Sequence, residues 1–140
     1  MKAETVVFAG NCRAEVLVLD EPLSFWGGLD PQTGLIIDKR HPQKDESVAA
    51  RVLLMPGTRG STSAAGVLCE SLRLGTGPAA FILPQPDALI LAAVTIAAEL
   101  YGRVTPVLAM KMDAWLELAS YKNLQIDRDG NVSEIREGLA

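Results

Sequence analysis

The sequence is poor in the residues from which disulfide frameworks and metal centres are built. It contains one histidine and only two cysteines, Cys12 and Cys69. Two cysteines do not form a disulfide framework, and these two lack the spaced partners of a zinc or iron–sulfur site. We therefore expect a reduced, cytoplasmic protein that binds no metal ion itself, and we assign neither cysteine a role.

Long apolar runs and clustered basic charges are also absent. The longest apolar run, ALILAAVTIAA at residues 88 to 98, has eleven residues and is well short of the roughly 20 that cross a bilayer. The start, MKAETVV, lacks the pattern of a secretory signal. Thirteen Lys and Arg residues are scattered among 17 Asp and Glu residues, for a net charge of −4. We expect neither a membrane nor a nucleic acid as partner.

The chain that is present has an ordinary globular composition and is long enough for one core. Hydrophobic residues make up 49% of its 140 residues, which is typical of a soluble domain. We expect one domain over residues 1 to 140. The first half is rich in turn residues and contains β-like runs at residues 4 to 10, 14 to 20, 34 to 38 and 49 to 55.

The second half alternates strand and helix patterns. Short apolar runs bounded by Pro or Gly predict strands at residues 52 to 55, 79 to 83 and 106 to 109. Helical spacing of apolar residues predicts helices at residues 61 to 74 and 87 to 101. This alternation indicates an α/β fold with right-handed crossovers and a parallel sheet.

The ends of the second helix and the tail have their own signals. Asp87 is placed to begin the helix as its N-cap and Gly102 to end it. From residue 88 to 100 this helix is apolar on almost every side. We predict that one side packs on the sheet and that the other either lies deep in the domain or faces a partner. The tail, LQIDRDGNVSEI, predicts a hairpin around its Asp-Gly pair.

The segment PGTRGSTSA, residues 56 to 64, joins a predicted strand to a predicted helix. Backbone N–H groups at a helix start lack partners within the helix and attract anions. Gly57 and Gly60 allow the backbone to approach a ligand, and the Arg59 guanidinium can bind an oxyanion through two hydrogen bonds. The segment therefore predicts an anion site. The alternative is that Ser61 or Thr62 only caps the helix.

A second segment, EPLSFWGGLDPQTGLIIDKRHP at residues 21 to 42, has a similar character. It places two of the few aromatic residues, Phe25 and Trp26, beside paired glycines, and Asp38 and His41 follow. We interpret it as a second wall of the same polar site. Alternatively, Trp26 covers the core and His41 is a turn residue before a proline.

Together the two segments resemble the small subunit, or swivel domain, of the aconitase X family. The resemblance is in PLSFWGG-x-D-P-x-T-G-x-I-x-D-x-x-HP followed by P-G-x-R-G-S, and it covers about residues 9 to 110. It implies a swivelling β/β/α fold, similar to the fourth domain of aconitase, that closes over a larger subunit carrying an iron–sulfur cluster. Known activities of the family are dehydration of cis-3-hydroxy-L-proline in bacteria and of mevalonate 5-phosphate in archaea.

The resemblance also implies roles for single residues. Ser61 occupies the position of the catalytic base. We expect the substrate, a small hydroxy acid, to contact the surrounding residues, which are Ser24, Phe25, Trp26, Gly27, Gly28, Arg59, Gly60, Thr62 and Ser63, with Asp38 and His41 as a further wall. This chain would bind no cofactor, would pair with the large subunit in a heterodimer or larger assembly, and would be inactive without it.

Some features of the sequence bear on the substrate and on other functions. The family pattern usually has a glycine near Asp45 and a further serine at Ala64 or Ala65. The composition lacks the Lys and Glu enrichment of hyperthermophiles, which favours hydroxyproline over the archaeal phosphomevalonate reaction. Two alternatives come from other classes: a phosphotransfer domain phosphorylated on His41, and a non-catalytic binding module that has kept only the fold.

Overall fold

A computed structural model describes residues 1 to 60 and 63 to 136. These residues form a seven-stranded mixed sheet with the order β1-β5-β4-β3-β2-β6-β7. The strands are β1 (Thr5–Phe8), β2 (Cys12–Val18), β3 (Val52–Leu54), β4 (Ala80–Leu83), β5 (Val107–Ala109), β6 (Asn123–Ile126) and β7 (Val132–Glu134).

The four central strands are parallel and the edges are antiparallel. Strands β2, β3, β4 and β5 pair in parallel, with Leu17 opposite Leu53 and Leu53 opposite Phe81. Strand β1 pairs antiparallel with β5, and the β6–β7 hairpin pairs antiparallel with β2. The parallel sheet and the tail hairpin are confirmed, and β2 from the first half completes that parallel sheet.

The strand prediction at residues 34 to 38 is wrong. This run makes only isolated bridges, between Leu29 and Ile36 and between Leu35 and Ser47. The reason is a tight turn just before it, in which the Gly34 N–H donates to the Asp30 carbonyl at 2.8 Å. The chain turns back again at Asp45, whose φ of 73° is the left-handed conformation that a glycine adopts most readily. The family pattern usually has a glycine near this position, so here a residue other than glycine occupies a left-handed turn.

The helices are α1 (Phe25–Gly28), α2 (Ser63–Leu74), α3 (Ala88–Tyr101) and α4 (Met112–Leu118). Helix α3 agrees with the prediction, since Asp87 caps its first turn and Gly102 ends it at a φ of 64°. Helix α1 is one irregular turn, in which Trp26 and Gly27 have non-helical dihedral angles. Helix α4 was not predicted, because seven residues with only Trp115 and Leu118 buried carry a weak periodic signal.

The sheet is covered on both faces, which explains its nearly continuous apolar strands. Helices α2 and α3 pack together on one face, over side chains such as Leu53 and Phe81. On the other face, alternate strand residues such as Ile82 pack against α4 and the β6–β7 hairpin. The Trp115 indole nitrogen donates to the Ile82 carbonyl at 3.0 Å and thereby attaches α4 to β4.

Helix α3 has one buried and one exposed apolar face. Its buried residues are Ile90, Ala93, Val94 and Ala97. On the other face Ile96 is 45% exposed and Leu100 67% exposed, so nothing in the described ranges covers them. A partner for this second face stays a prediction. None of the helices in residues 1 to 60 and 63 to 136 has the length and apolar character needed to span a membrane.

Candidate functional site

The predicted site segments meet at the carboxyl ends of the parallel strands. The aromatic segment, residues 22 to 28, follows β2, and the glycine loop, residues 56 to 60, follows β3. Asp87 lies beyond the end of the next strand, β4, and begins α3. This edge of an open parallel sheet is where α/β proteins bind ligands, because successive strands deliver their following loops to one place.

Backbone hydrogen bonds join the glycine loop to the aromatic segment and extend the parallel pairing of β2 and β3. The Leu23 N–H donates to the Gly57 carbonyl at 3.3 Å, and the Arg59 N–H donates to the Leu23 carbonyl at 3.2 Å. Leu23 and Thr58 thereby form a parallel bridge. Because of this pairing, Ser24 comes to lie beside Gly60.

Gly60 is required by the close approach to Ser24. Its φ is +109°, and a methyl group at this position would lie 2.7 Å from the Ser24 hydroxyl oxygen. Side chains other than glycine rarely adopt that conformation and would collide there. The Ser24 hydroxyl itself donates to the Trp26 carbonyl at 3.0 Å, which holds the irregular turn of α1. The two predicted walls are therefore in direct contact at Ser24 and Gly60.

Asp87 joins the glycine loop to helix α3 with one carboxylate. Its Oδ2 accepts from the Thr58 backbone N–H at 3.2 Å and from the Thr58 hydroxyl at 2.7 Å. Its Oδ1 accepts from the N–H groups of Leu89 and Ile90 at 2.9 and 3.1 Å. The N-cap is confirmed. The contact with Thr58 was not predicted, because local sequence signals do not reach a partner 29 residues away.

The two aromatic residues of the segment have different environments. Phe25 is fully buried, and its ring meets Phe81 edge-on at a centroid distance of 6.5 Å. Trp26 is 62% exposed. Gly27, with a φ of 78°, turns the chain between them and Gly28, which is buried against Leu23. Phe25 therefore anchors the segment in the core, while Trp26 is available to a ligand or partner.

Arg59 is exposed at the surface beside Glu21. The shortest distance between the guanidinium and the Glu21 carboxylate is 3.6 Å, and both side chains are more than half exposed. An exposed ion pair of this kind is weak. The guanidinium can therefore exchange Glu21 for a substrate oxyanion, and Glu21 is a site residue that the sequence reasoning missed.

His41 lies behind the site and not in its wall. It is 6% exposed, and its Nδ1 accepts from the Gln43 N–H at 3.0 Å. Its Nε2, which must then carry the proton, donates to the Glu21 carbonyl at 3.1 Å. Both ring nitrogens are thus engaged in holding the turn against Glu21. A phosphotransfer role would require one of these buried contacts to be broken.

Asp38 also has a local role in the same turn. Its carboxylate accepts from the Arg40 N–H at 2.9 Å, and its carbonyl accepts from the His41 N–H at 3.1 Å. A carboxylate that bonds the backbone two residues on stabilises a turn. Asp38 also lies beside the predicted site residue Gly28, since a methyl group on Gly28 would be 3.7 Å from the Asp38 Cβ.

Two predicted residues, Ser61 and Thr62, lie outside the described residues. Their neighbours are described: Gly60 and Ser63 are both exposed, and Ser63 is the first residue of α2. Helix α1 packs against α2, and the glycine loop precedes that helix along the chain. The exposed residues of the described site segments are Trp26, Gly27, Arg59, Gly60 and Ser63, and Ser24 is partly exposed.

The described residues do not form a metal centre. Within residues 1 to 60 and 63 to 136, no three side chains of His, Cys, Asp or Glu converge closely enough to hold a metal ion. Cys12 and Cys69 are both free thiols. This part of the chain therefore does not fit an iron–sulfur cluster, and no chemical step is assigned to one here.

Among known sequences, the relatives of this chain include dehydratases and dehydratase subunits. A cis-3-hydroxy-L-proline dehydratase from Hypocrea jecorina is 35% identical over 97% of this chain, which spans 23% of that protein. A phosphomevalonate dehydratase small subunit from Methanothermobacter thermautotrophicus is 44% identical over 61% of this chain and 65% of its own length. The chain thus spans less than a quarter of the first relative and about two thirds of the second.

Known structures share the fold. The crystal structure of Thermococcus kodakaraensis aconitase X in its holo-form superposes with a TM-score of 0.80 at 24% identity, over 96% of this chain and 97% of that one. The predicted swivelling α/β fold is confirmed by this match. The family model for the aconitase X swivel domain matches residues 1 to 135. The chain belongs to the aconitase X swivel domain family.

Proposed function

We propose that this chain is the swivel-domain component of a dehydratase in which Ser61 acts as the general base. The observation that carries the proposal is the double attachment of the glycine loop immediately before Ser61. Leu23 pairs with the loop on one side, and Asp87 binds Thr58 on the other. A base must be held in position to abstract a proton efficiently, and this loop is held from two elements of the fold.

The charge around the loop suits a serine base. A serine hydroxyl is a very weak acid, so its alkoxide has to be stabilised before it can accept a proton from carbon. The exposed Arg59 guanidinium and the first N–H groups of α2 both favour negative charge at this position. In the proposed reaction the Ser61 alkoxide removes a proton from one carbon of the substrate, the C–H electron pair forms the double bond, and the hydroxyl leaves the neighbouring carbon with the C–O electron pair. Transfer of one proton to the departing hydroxide gives water, and loss of the proton from Ser61 restores the base, so that the products are an alkene and water.

The open surface of the site supports a larger partner. Trp26, Arg59 and Gly60 are all exposed, whereas a dehydratase site must exclude bulk water during reaction. We infer that a large subunit or domain covers this edge, in a heterodimer or larger assembly. The iron–sulfur cluster expected in such an enzyme would belong to that partner. We expect the isolated chain to be inactive.

The substrate that we favour is cis-3-hydroxy-L-proline. The similarity to the Hypocrea jecorina dehydratase extends over 97% of the chain, whereas that to the Methanothermobacter small subunit extends over 61%. Mevalonate 5-phosphate is the alternative, since identity within the shorter match is higher, 44% against 35%. Both compounds carry an anionic group that Arg59 could bind.

The test of the base is Ser61→Ala in the enzyme assembled with its large partner. If Ser61 takes the proton, the dehydration rate should fall by about a hundredfold to ten-thousandfold with either substrate. Ser63→Ala is the matched control, because Ser63 is an exposed hydroxyl two residues further on at the start of α2. Ser63→Ala should lower the rate far less than Ser61→Ala does.

The opposite result separates catalysis from helix capping. If Ser61 only caps α2, its replacement should lower the free energy of unfolding by about 0.5–2 kcal/mol and leave the rate of the assembled enzyme nearly unchanged. A Ser61→Ala complex that assembles and dehydrates substrate at a near-native rate would end the proposal.

A further inference from the structure

A second polar cavity lies at the opposite edge of the sheet. It has a volume of about 330 Å³ and is formed where β2, β4 and β5 begin, next to the end of α2. Its lining includes Asn11, Cys12, Arg13, Gly75, Arg103 and Thr105. The candidate dehydratase site is at the carboxyl ends of the same strands, so the two regions are separated by the length of the sheet.

The lining of this cavity carries positive charge that nothing balances. Arg13 and Arg103 both line it, and no acidic side chain does. Within the described ranges neither arginine makes an ion pair or a side-chain hydrogen bond. Arg51 pairs with Glu15 at 3.0 Å and Arg73 pairs with Glu70. Arg40 and Arg128 have no ion pair within the described ranges either, so what distinguishes the exposed Arg13 and Arg103 is that both line one cavity. Two unpaired guanidinium groups on one cavity are a favourable environment for an oxyanion.

Thr105 adds an unused hydrogen-bonding group. It is 4% exposed, and its hydroxyl makes no hydrogen bond to any residue that the structure describes. The hydroxyl is not sealed in the core, since none of the described side chains has a fully enclosed polar atom without a partner. The hydroxyl oxygen therefore retains some solvent access, and Thr105 is one of the residues that line the cavity. A nearly buried hydroxyl without a partner is costly unless a ligand or water binds it.

Cys12 does not offset the positive charge. Its thiol is partly buried, and desolvation raises its pKa to about 11, so it stays uncharged near neutral pH. The remaining lining is formed by glycine, alanine, leucine, valine, proline and asparagine residues, all of them neutral.

We propose that this cavity binds the carboxylate or phosphate group of a small molecule, with Arg13 and Arg103 as its charge partners and Thr105 as a hydroxyl donor. Its volume is at the lower end of the range for small-molecule sites, which fits a metabolite-sized anion and not a protein segment. The site is distinct from the dehydratase edge, and nothing in the proposed reaction uses it.

The experiment follows backbone amide signals of the full, ¹⁵N-labelled chain during titration. Inorganic phosphate and acetate are added separately, with the ionic strength held constant by chloride. We expect saturable shifts at Arg13, Gly75 and Arg103 with at least one of the two anions. The anion that saturates at the lower concentration identifies the group that the cavity prefers.

Variants assign the binding to the cavity. Arg13→Gln and Arg103→Gln should each weaken binding by about tenfold or more, since a charge-assisted contact is lost. Arg128→Gln is the matched control, because Arg128 is an exposed arginine in the turn between β6 and β7 and does not line the cavity. It should leave the affinity unchanged. Thr105→Val keeps the shape of a buried side chain and should weaken binding severalfold.

Three results would overturn the proposal. The first is a linear response to both anions without saturation. The second is saturation with shifts confined to the glycine loop, which would place the anion at the other edge. The third is equal weakening by Arg128→Gln and Arg103→Gln, which would show general charge attraction. An arginine variant that loses its dispersed amide spectrum has unfolded and gives no information on binding. In that case the anion affinity of Thr105→Val is the deciding measurement, and an affinity equal to that of the unsubstituted chain overturns the proposal.

Discussion

The two edges of the sheet use polar groups in opposite ways. At the carboxyl edge, polar side chains bind other parts of the chain: Asp87 holds Thr58, and His41 holds the Glu21 carbonyl. At the amino edge, the side chains of Arg13, Arg103 and Thr105 make no hydrogen bond or ion pair in the part of the chain that the structure describes. The difference teaches that the carboxyl edge combines exposed groups such as Arg59 with loops fixed by hydrogen bonds, whereas at the amino edge the polar side chains on the cavity are not fixed by partners.

Gly60→Ala tests the rigid edge most severely. The substitution forces a side chain into a φ of +109° and places its methyl group against the Ser24 hydroxyl. We expect this strain to lower the free energy of unfolding by about 1–3 kcal/mol. The displaced loop should lower the rate of the assembled enzyme by about a hundredfold.

Gly66→Ala is the matched control for that substitution. Gly66 lies inside α2, and a methyl group there meets no atom within 4 Å. Alanine should therefore stabilise the domain by roughly 0.5–1 kcal/mol in thermal or urea unfolding. Equal effects of the two variants on stability and rate would show that the Ser24–Gly60 contact has no special role.

The pH dependence of Cys12 alkylation tests whether the thiol at the amino edge is uncharged. Its folded pKa is raised by burial to about 11, from an ordinary value of 9.0. Because the thiolate is the reactive form, alkylation at pH 8 should be about a hundredfold slower in the folded chain than in the unfolded chain. The thiol is neutral in both states below the unfolded pKa near 9, so the free energy of unfolding should be constant there and should fall as pH rises from about 9 to about 11.

The measurement is the iodoacetamide rate as a function of pH in a Cys69→Ala background. Burial also raises the pKa of Cys69, so that residue has to be removed to isolate Cys12. A rate that levels off near pH 9 in the folded chain would contradict the raised pKa.

Asp87→Ala tests the attachment of the glycine loop to α3. The change removes the cap of α3 and both contacts with Thr58. We expect a loss of about 0.5–2 kcal/mol from the cap, with a further loss of about 1–3 kcal/mol from the loop contacts. In Asp87→Ser the shorter side chain can still cap α3 but cannot reach Thr58 as well. Compared with Asp87→Ala, this variant should therefore recover more of the free energy of unfolding than of the dehydration rate. Equal recovery of both would indicate that the loop does not depend on Asp87.

Leu100→Glu should have the smallest effect on the isolated domain and tests the exposed face of α3. Leu100 is 67% exposed, so the substitution should change the free energy of unfolding by no more than about 0.5 kcal/mol. If the partner covers this face, association measured by analytical ultracentrifugation should weaken. Leu116→Glu, at a 59% exposed leucine on α4, is the control and should leave association intact. Loss of folding in Leu100→Glu would instead identify this face as core.

Local sequence signals were sufficient for most of the fold. The apolar runs bounded by Pro or Gly predicted β3, β4 and β5, because strands buried on both faces need no polar alternation. Asp87 and Gly102 predicted the ends of α3, because a cap acts on groups within three residues of itself. Residues 34 to 38 were misjudged, since the turn at Gly34 outweighs the β-branched residues after it.

The sequence by itself also determined that the glycine loop and the aromatic segment belong to one site, through their resemblance to a family pattern. Only the tertiary structure decided which of those residues meet. Ser24 reaches Gly60, Thr58 reaches Asp87, and His41 turns inward to the Glu21 carbonyl. Arg13 and Arg103 likewise come to one cavity only because β2 and β5 begin at the same edge. The physical reason is that hydrogen bonds and charges act over a few ångströms in space, whereas these partners lie 20 to 90 residues apart along the chain.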